Sequence, residues 1–299
     1  MTRHDELRPA VVVVGASRGI GRSIARVIAR EHIPLVLVAR SPEGLAVAAK
    51  DVRQAGGEAF TLELDLLAGD ASARLEEFLS ANGLFCDVLV NCAGYGLRGA
   101  ATALPVKDQL GIIDLNIRAL SDLTLHFLPG MVARARGGVL NLGSIAGFTP
   151  GPYMALYYAS KGFVRFFSEA LYQELRHTGV TVTCVAPGPV STEFLENSGA
   201  SETRLFNVLP NLNPDYVSER AWRGFKSGRR LVVPGISAKL TAFAATWLPS
   251  LVRLPLIGAL QRKGYDPCPC GSGEMFKKCC RGHPIRLRRG PRRALTESR

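Results

Sequence analysis

Short runs rich in β-branched and aliphatic residues recur along the chain, unbroken in the first two. Each is followed by a longer stretch in which apolar positions return with a helical period. The runs at 10–14, 35–39, 58–64, 87–90, 138–143, 180–185 and 230–233 read as strands. Continuous apolarity, rather than alternation, marks strands buried on both faces, as in parallel sheets. Stretches at 22–31, 42–55, 157–177 and 214–226 read as the helices between them. This alternation predicts an α/β fold, a doubly wound parallel sheet of the Rossmann type over residues 1–235. Residues 193–214 carry Gly, Ser, Asn and Pro with little period and read as a lid. Residues 236–263 are strongly apolar but interrupted by Lys239, Pro249, Arg253 and Pro255. That is too broken for a membrane-spanning helix, which needs about 20 apolar residues. Packing over a cleft, an oligomer surface and a helix lying in a membrane interface stay open for this segment.

Composition narrows the setting. A chain of 299 residues, 47% hydrophobic and 21% charged, buries a full core and has room for one large domain with an appendage. The polar start runs straight into a strand, so no secretory signal is visible. Seven cysteines, an odd number, fit a reducing compartment, and the expected location is cytoplasmic, with peripheral membrane attachment as the variant. The net charge of +12 is lopsided. From Lys277 onward nine Lys/Arg face one acid, Glu297, so +8 of it belongs to the tail.

The first strand empties into Gly15-Ala16-Ser17-Arg18-Gly19-Ile20-Gly21 and then a helix. Glycines at such a turn let the backbone approach a pyrophosphate, and the helix N-terminus offers free N–H groups and a favourable dipole. The second strand ends at Arg40, where an NAD-preferring site places an acid about 20 residues past the glycines. Two guanidiniums, Arg18 and Arg40, suit a dianionic 2′-phosphate, so the expected cofactor is NADP(H).

Further on, Tyr157 and Lys161 stand four residues apart, on one face if the segment is helical. A phenol has a reference pKa of about 10, and a neighbouring ammonium is expected to lower it toward the working range. Ser144 follows the run at 138–143 and places a hydroxyl where a substrate oxygen can be held.

These residues together resemble the short-chain dehydrogenase/reductases, whose hallmark is Tyr-x-x-x-Lys with a serine thirteen residues before the Tyr, the interval from Ser144 to Tyr157. The glycine spacing Gly-x-x-x-Gly-x-Gly is similar to the family's, although Val14 stands where the family usually has Thr. The resemblance implies catalytic roles for Ser144, Tyr157, Lys161 and Asn116, the last supporting a proton relay. It implies cofactor contacts from Gly15, Ser17, Arg18, Gly19, Ile20, Gly21, Arg40, Asp65, Leu66, Asn91, Ala93, Gly94, Tyr157, Lys161, Pro187, Gly188, Val190 and Thr192. Cys92 replaces the second Asn of the usual Asn-Asn-Ala-Gly and reads as a small buried hydrophobe. The implied reaction is hydride transfer between nicotinamide and a carbonyl or alcohol, and the apolar lid and 236–263 segment point toward a hydrophobic ketone or 3-oxoacyl-like substrate. A dimer or tetramer is expected. The rival is a non-catalytic NADP(H)-binding adaptor.

Near the end, Cys268, Cys270, Cys279 and Cys280 lie within thirteen positions. Thiolates on a tight glycine turn (Gly271, Gly273) suit tetrahedral Zn²⁺, with His283 as an alternative ligand to Cys280. The pattern is similar to the SEC-C motif and predicts a small zinc knuckle over 264–284, then a basic disordered tail over 285–299. That tail offers contact with protein, RNA or an anionic membrane, or is simply solvated.

Overall fold

The computed structural model describes residues 7–199, 203, 209–264, 266, 268, 270, 272 and 274–280. Gly271, Gly273, His283 and the basic tail lie outside the described residues, as do 200–202 and 204–208 of the expected lid. Among the described residues a seven-stranded parallel sheet runs in the order β3-β2-β1-β4-β5-β6-β7. Its strands are β1 (Arg8–Val14), β2 (Leu35–Ala39), β3 (Ala59–Glu63), β4 (Leu84–Asn91), β5 (Gly138–Leu142), β6 (Thr181–Val185) and β7 (Leu231–Val232). Between them lie α1 (Gly19–Ala29), α2 (Pro42–Gln54), α3 (Ala71–Ala81), α4 (Val106–Ile113), α5 (Leu120–Ala133), α6 (Ala155–Glu174), α7 (Phe194–Asn197) and α8 (Pro214–Lys226). A π-helical turn, Asp114–Ala119, joins α4 to α5, and a 3₁₀ turn, Ile145–Phe148, follows β5. The chain continues into α9 (Ile236–Trp247), α10 (Ser250–Gln261) and α11 (Phe276–Cys279).

The unbroken valine run of β1 has the meaning its pattern predicts. Successive side chains of a strand point to opposite faces. Val11 and Val13 pack with Ile24, Ile28, Leu45, Trp222 and Phe225 on one side of the sheet. Val12 and Val14 pack with Leu75, Leu123, Phe127, Met131 and Leu171 on the other. Because β1 neighbours both β2 and β4, the winding reverses there and leaves a crevice outside the carboxyl ends of the two central strands.

The structure departs from the sequence pattern in two places. The apolar stretch 236–263 is not one piece but two twelve-residue helices, α9 and α10. Leu248 is extended at φ −66° and ψ 133°, as the residue before a proline is pressed to be, and Pro249 follows at the start of α10. The expected lid contains regular structure: α7, and a parallel bridge from Val190 to Leu212. Among the described residues no helix is long and apolar enough to cross a membrane.

Candidate active site

The β1–α1 turn is built by backbone crowding. Gly15 has φ +81°, and a Cβ there would lie 2.7 Å from the Ala93 nitrogen. A Cβ at Gly21 would lie 2.1 Å from the Gly15 carbonyl oxygen. Only glycine permits this approach, and it presses the first turn of α1, with its free N–H groups, against the crevice. Gly19, Ser17 and Ile20 complete the turn, and the Thr192 methyl lies 3.4 Å from where a Cβ of Gly19 would be. Val190 and Thr192 thereby bring the segment after β6 over the glycines.

Arg18 caps α1 and reaches Glu193 at 3.1 Å, while Arg40 follows β2; both are exposed. An ion pair this exposed contributes little, so Arg18 can be redirected to a phosphate. Asp65 is exposed and accepts from the Leu67 N–H at 3.1 Å, with Leu66 half-buried beside it.

The Asn91 amide turns into the core, donating to Thr124 Oγ1 at 3.1 Å and Asn141 Oδ1 at 2.9 Å. Asn141 donates in turn to Ser168 Oγ at 2.9 Å. Asn91 therefore ties β4 to β5 and α5. Cys92 is inert, its thiol pushed up to about 12 by burial. A Cβ at Gly94 would come within 2.9 Å of Asn116 Oδ1, so this glycine lets two reactive segments meet.

Asn116 sits in the π turn, nearly inaccessible. Its Oδ1 accepts from the Tyr95 N–H at 3.0 Å, and its Nδ2 donates to the Tyr95 carbonyl at 2.9 Å and Ser160 Oγ at 3.0 Å. The side chain thus clamps the strand end to α6. A π bulge of this kind is common beside functional sites.

Ser144, Tyr157 and Lys161 converge at the carboxyl end of β5. Ser144 is extended (φ −169°, ψ 160°), its Oγ accepts from the Ala146 N–H at 3.1 Å, and the side chain is the polar neighbour that lowers the Tyr157 phenol. Lys161 lies one turn along α6, its Nζ 5.9 Å from the Tyr157 ring centre and donating to the Leu142 carbonyl at 2.8 Å. The ammonium is nearly inaccessible, and burial pulls it down to about 8. The phenol moves opposite to expectation: burial pushes it up to about 12, with Ser144 the group that lowers it. The helical spacing does align Tyr157 and Lys161, but desolvation sets the direction of the phenol's shift. Pro187 and Gly188 adjoin this corner, the Pro187 carbonyl accepting from the Ile145 N–H at 3.0 Å.

The four carboxyl-terminal cysteines gather their sulfurs within 4.8 Å of one another. Individual separations are 3.4 Å for Cys268–Cys270, 3.5 Å for Cys270–Cys279 and 3.8 Å for Cys279–Cys280. The edge of a tetrahedron with zinc–sulfur bonds of about 2.3 Å is roughly 3.8 Å, so the set fits a zinc ion. All four thiols are free.

Comparison with known proteins accords with these two sites. The profile of the family described as short chain dehydrogenase matches residues 9–203, well over half of the chain. The chain belongs to this family. The SEC-C motif matches residues 266–282. Ketoacyl reductase HetN of Nostoc sp. (strain PCC 7120) is 36% identical over 182 residues, covering 60% of this chain and 63% of that protein. The very-long-chain 3-oxoacyl-CoA reductase of Homo sapiens is 34% identical over 188 residues, covering 61% and 60%. The chain thus spans about three fifths of the length of these curated relatives. Among solved structures, a short-chain dehydrogenase from Sphingobium yanoikuyae in complex with NADPH is superposable with a TM-score of 0.70 at 30% identity, covering 79% of this chain and 92% of that one.

This short chain dehydrogenase also has residues at its site that the sequence pattern did not single out. Phe194 of α7 packs on Tyr157 with ring centres 5.3 Å apart. Tyr158 Oη accepts from Gln261 Nε2 at 2.6 Å, and the Gln261 carbonyl accepts two bonds from Arg98 at 2.8 and 3.0 Å. Arg98 also pairs with Asp266 in a buried salt bridge at the edge of the cysteine cluster. The cysteine segment is therefore strapped to the wall of the active site, a link between residues 163 and 168 positions apart that only tertiary structure reveals. An apolar cleft of about 560 Å³ runs along the outer face of α6, lined by Phe148, Pro152, Tyr158, Phe163, Phe166 and Leu254. Neither Ser144 nor Tyr157 lines it.

The buried ammonium has a thermodynamic signature. The unfolded chain keeps Lys161 protonated to about pH 10.4, whereas the folded chain releases that proton near pH 8. The unfolded state binds more protons in that window, so this group adds stability as pH rises through it. Relative to Lys161→Met, the wild-type protein should gain stability between pH 8 and pH 10 in urea denaturation, and a pH-independent difference would contradict the desolvated ammonium.

Proposed function

We propose that the chain is an NADPH-dependent carbonyl reductase acting on an apolar ketone or 3-oxoacyl substrate. The observation that carries this reading is the meeting of Ser144, Tyr157 and Lys161 at one corner beside the glycine-lined crevice. The same meeting speaks against a non-catalytic adaptor. The residues present fit the cofactor: a glycine cradle under the helix N-terminus for the pyrophosphate, and Arg18 and Arg40 for the 2′-phosphate. When bound, NADPH supplies the hydride.

The protein's own residues then handle binding and the proton. Ser144 Oγ holds the carbonyl oxygen next to the phenol. Tyr157, held at about 12, stays protonated at neutral pH and donates to the developing alkoxide, a far stronger base than phenolate. Lys161, with its pKa near 8, is still largely charged at pH 7 and stabilises the phenolate left behind. Asn116 holds Tyr95 and Ser160 in place, so that the strand end and α6 keep their distance. Phe194 covers the site from α7 and gives it an apolar ceiling. The acyl substrate class draws support from the names of the two curated relatives, which reduce ketoacyl and very-long-chain 3-oxoacyl groups. A dimer or tetramer, with the outer face of α6 as one contact, accords with the apolar cleft there. Zn²⁺ held by Cys268, Cys270, Cys279 and Cys280 serves as a structural knot.

Three outcomes are expected. Tyr157→Phe should lower kcat by about 10²–10⁴-fold while NADPH affinity stays within a few-fold, since only the proton donor is lost; turnover near wild type in a stopped assay would remove the assigned acid. Arg40→Asp should cut the NADPH-over-NADH ratio of kcat/KM by at least about tenfold, the worth of one charge-assisted hydrogen bond. An unchanged ratio would sink the 2′-phosphate assignment. Cys279→Ser combined with Cys280→Ser should abolish protein-bound zinc in elemental analysis; metal retained at the wild-type level would exclude this ligand set.

A further inference from the structure

The reaction leaves the outward face of the α9–α10 hairpin unexplained. Ile236, Leu240, Phe243 and Trp247 follow one another at intervals of four, three and four residues, a single narrow stripe of α9. Ile236 is 78% exposed, Phe243 65% and Trp247 73%, and the stripe passes onto α10 through Leu251 at 88%. The opposite face, Ala238, Ala242 and Ala245, is buried. The hairpin thus seats its small residues on the body and turns its large ones outward, the reverse of an ordinary surface helix. Single exposed apolar side chains need no explanation, but a continuous stripe of this kind marks an interaction surface.

Charge identifies what covers it. Between Glu219 and Asp266 the sequence carries nine Lys/Arg and not one Asp or Glu. Lys239 stands exposed on α9 itself, and the nine cations that begin at Lys277 follow in sequence. Within α9 and α10 the charges are Lys239 and Arg253, with Arg262 and Lys263 directly after and no acid, a balance that suits the boundary of an anionic bilayer. Each helix has twelve residues, about 18 Å, which is too short to span the bilayer but long enough to lie along it. We propose that the α9–α10 hairpin docks on an anionic membrane surface, inserting Ile236, Leu240, Phe243, Trp247 and Leu251 at the headgroup boundary.

The buried side of the same hairpin closes on the active site. Ala238 Cβ lies 3.4 Å from the position a Cβ of Gly188 would take, α9 packs on the 3₁₀ turn after Ser144, and Gln261 holds Tyr158. Docking would therefore set the site against the bilayer, where an apolar carbonyl compound dissolves. That consequence rests on the reductase reading; the docking itself does not.

Trp247 provides the test. The chain has two tryptophans, and Trp222 is buried and stacked on Phe225, so a vesicle-induced change in emission reports Trp247. Full-length protein should float with phosphatidylcholine–phosphatidylserine vesicles, bind pure phosphatidylcholine more weakly, and shift its emission to the blue. Trp247→Phe should remove the shift. Leu240→Glu with Phe243→Glu, its fold checked by circular dichroism, should reduce partitioning by about tenfold or more. Absence of flotation would overturn the proposal, as would flotation unaffected by the double substitution. So would a blue shift without vesicles that tracks a doubled mass in sedimentation, because a second copy of the chain would then own the face.

Discussion

The constraint on which the site depends is the burial of one ammonium. Lys161 comes from α6 into the space beside β5, and its nearest fixed partner is the Leu142 carbonyl, not a carboxylate. A desolvated cation with a single neutral acceptor is held by geometry rather than by charge pairing, and its pKa falls accordingly. Everything around it serves to keep that geometry. Asn116 ties the end of β4 to Ser160, next to Lys161, and Gly94 leaves the room for both to approach. Ser144 and Tyr157 then meet across the space that Lys161 defines.

The second organising feature is the reversal of winding between β1 and β4. Parallel strands place their carboxyl ends on one edge of the sheet, so the glycine turn, the Asn91–Gly94 segment, Ser144 and the loop after β6 all arrive on the same side. The Asn91–Asn141–Ser168 chain of hydrogen bonds runs under this edge from β4 through β5 to α6. Buried amides of this type keep neighbouring strands in register where the reactive groups leave the sheet.

The carboxyl-terminal region is built into the body of the fold rather than hung from it. Arg98 leaves the segment after β4 and reaches both the Gln261 carbonyl and Asp266. The cysteine cluster is thereby coupled to the loop that follows the cofactor crevice, and a metal knot there would stiffen a wall of the site. Of the two helices that precede the cluster, α9 has its alanines inward and its aromatics outward.

Much of this was legible in the sequence because it is local. Unbroken valine runs specify strands buried on both faces, a glycine turn between strand and helix specifies close approach, and four-residue spacing on a helix aligns Tyr157 with Lys161. The family pattern added Ser144, and cysteine spacing located the four-thiol cluster. What the sequence alone could not determine depends on desolvation and on contacts between distant segments. The rise of the Tyr157 pKa comes from a covering that includes Phe194, and the direction of the Asn91 side chain comes from Thr124 and Asn141 on other elements. The strap from Arg98 to Asp266 joins residues 168 positions apart. Which face of the apolar hairpin points outward was likewise decided by packing, since alanines allow a closer seat on the body than phenylalanine or tryptophan. Spacing along a chain sets which groups can share a face; only the packed structure sets which of them lose water, and that loss decides their chemistry.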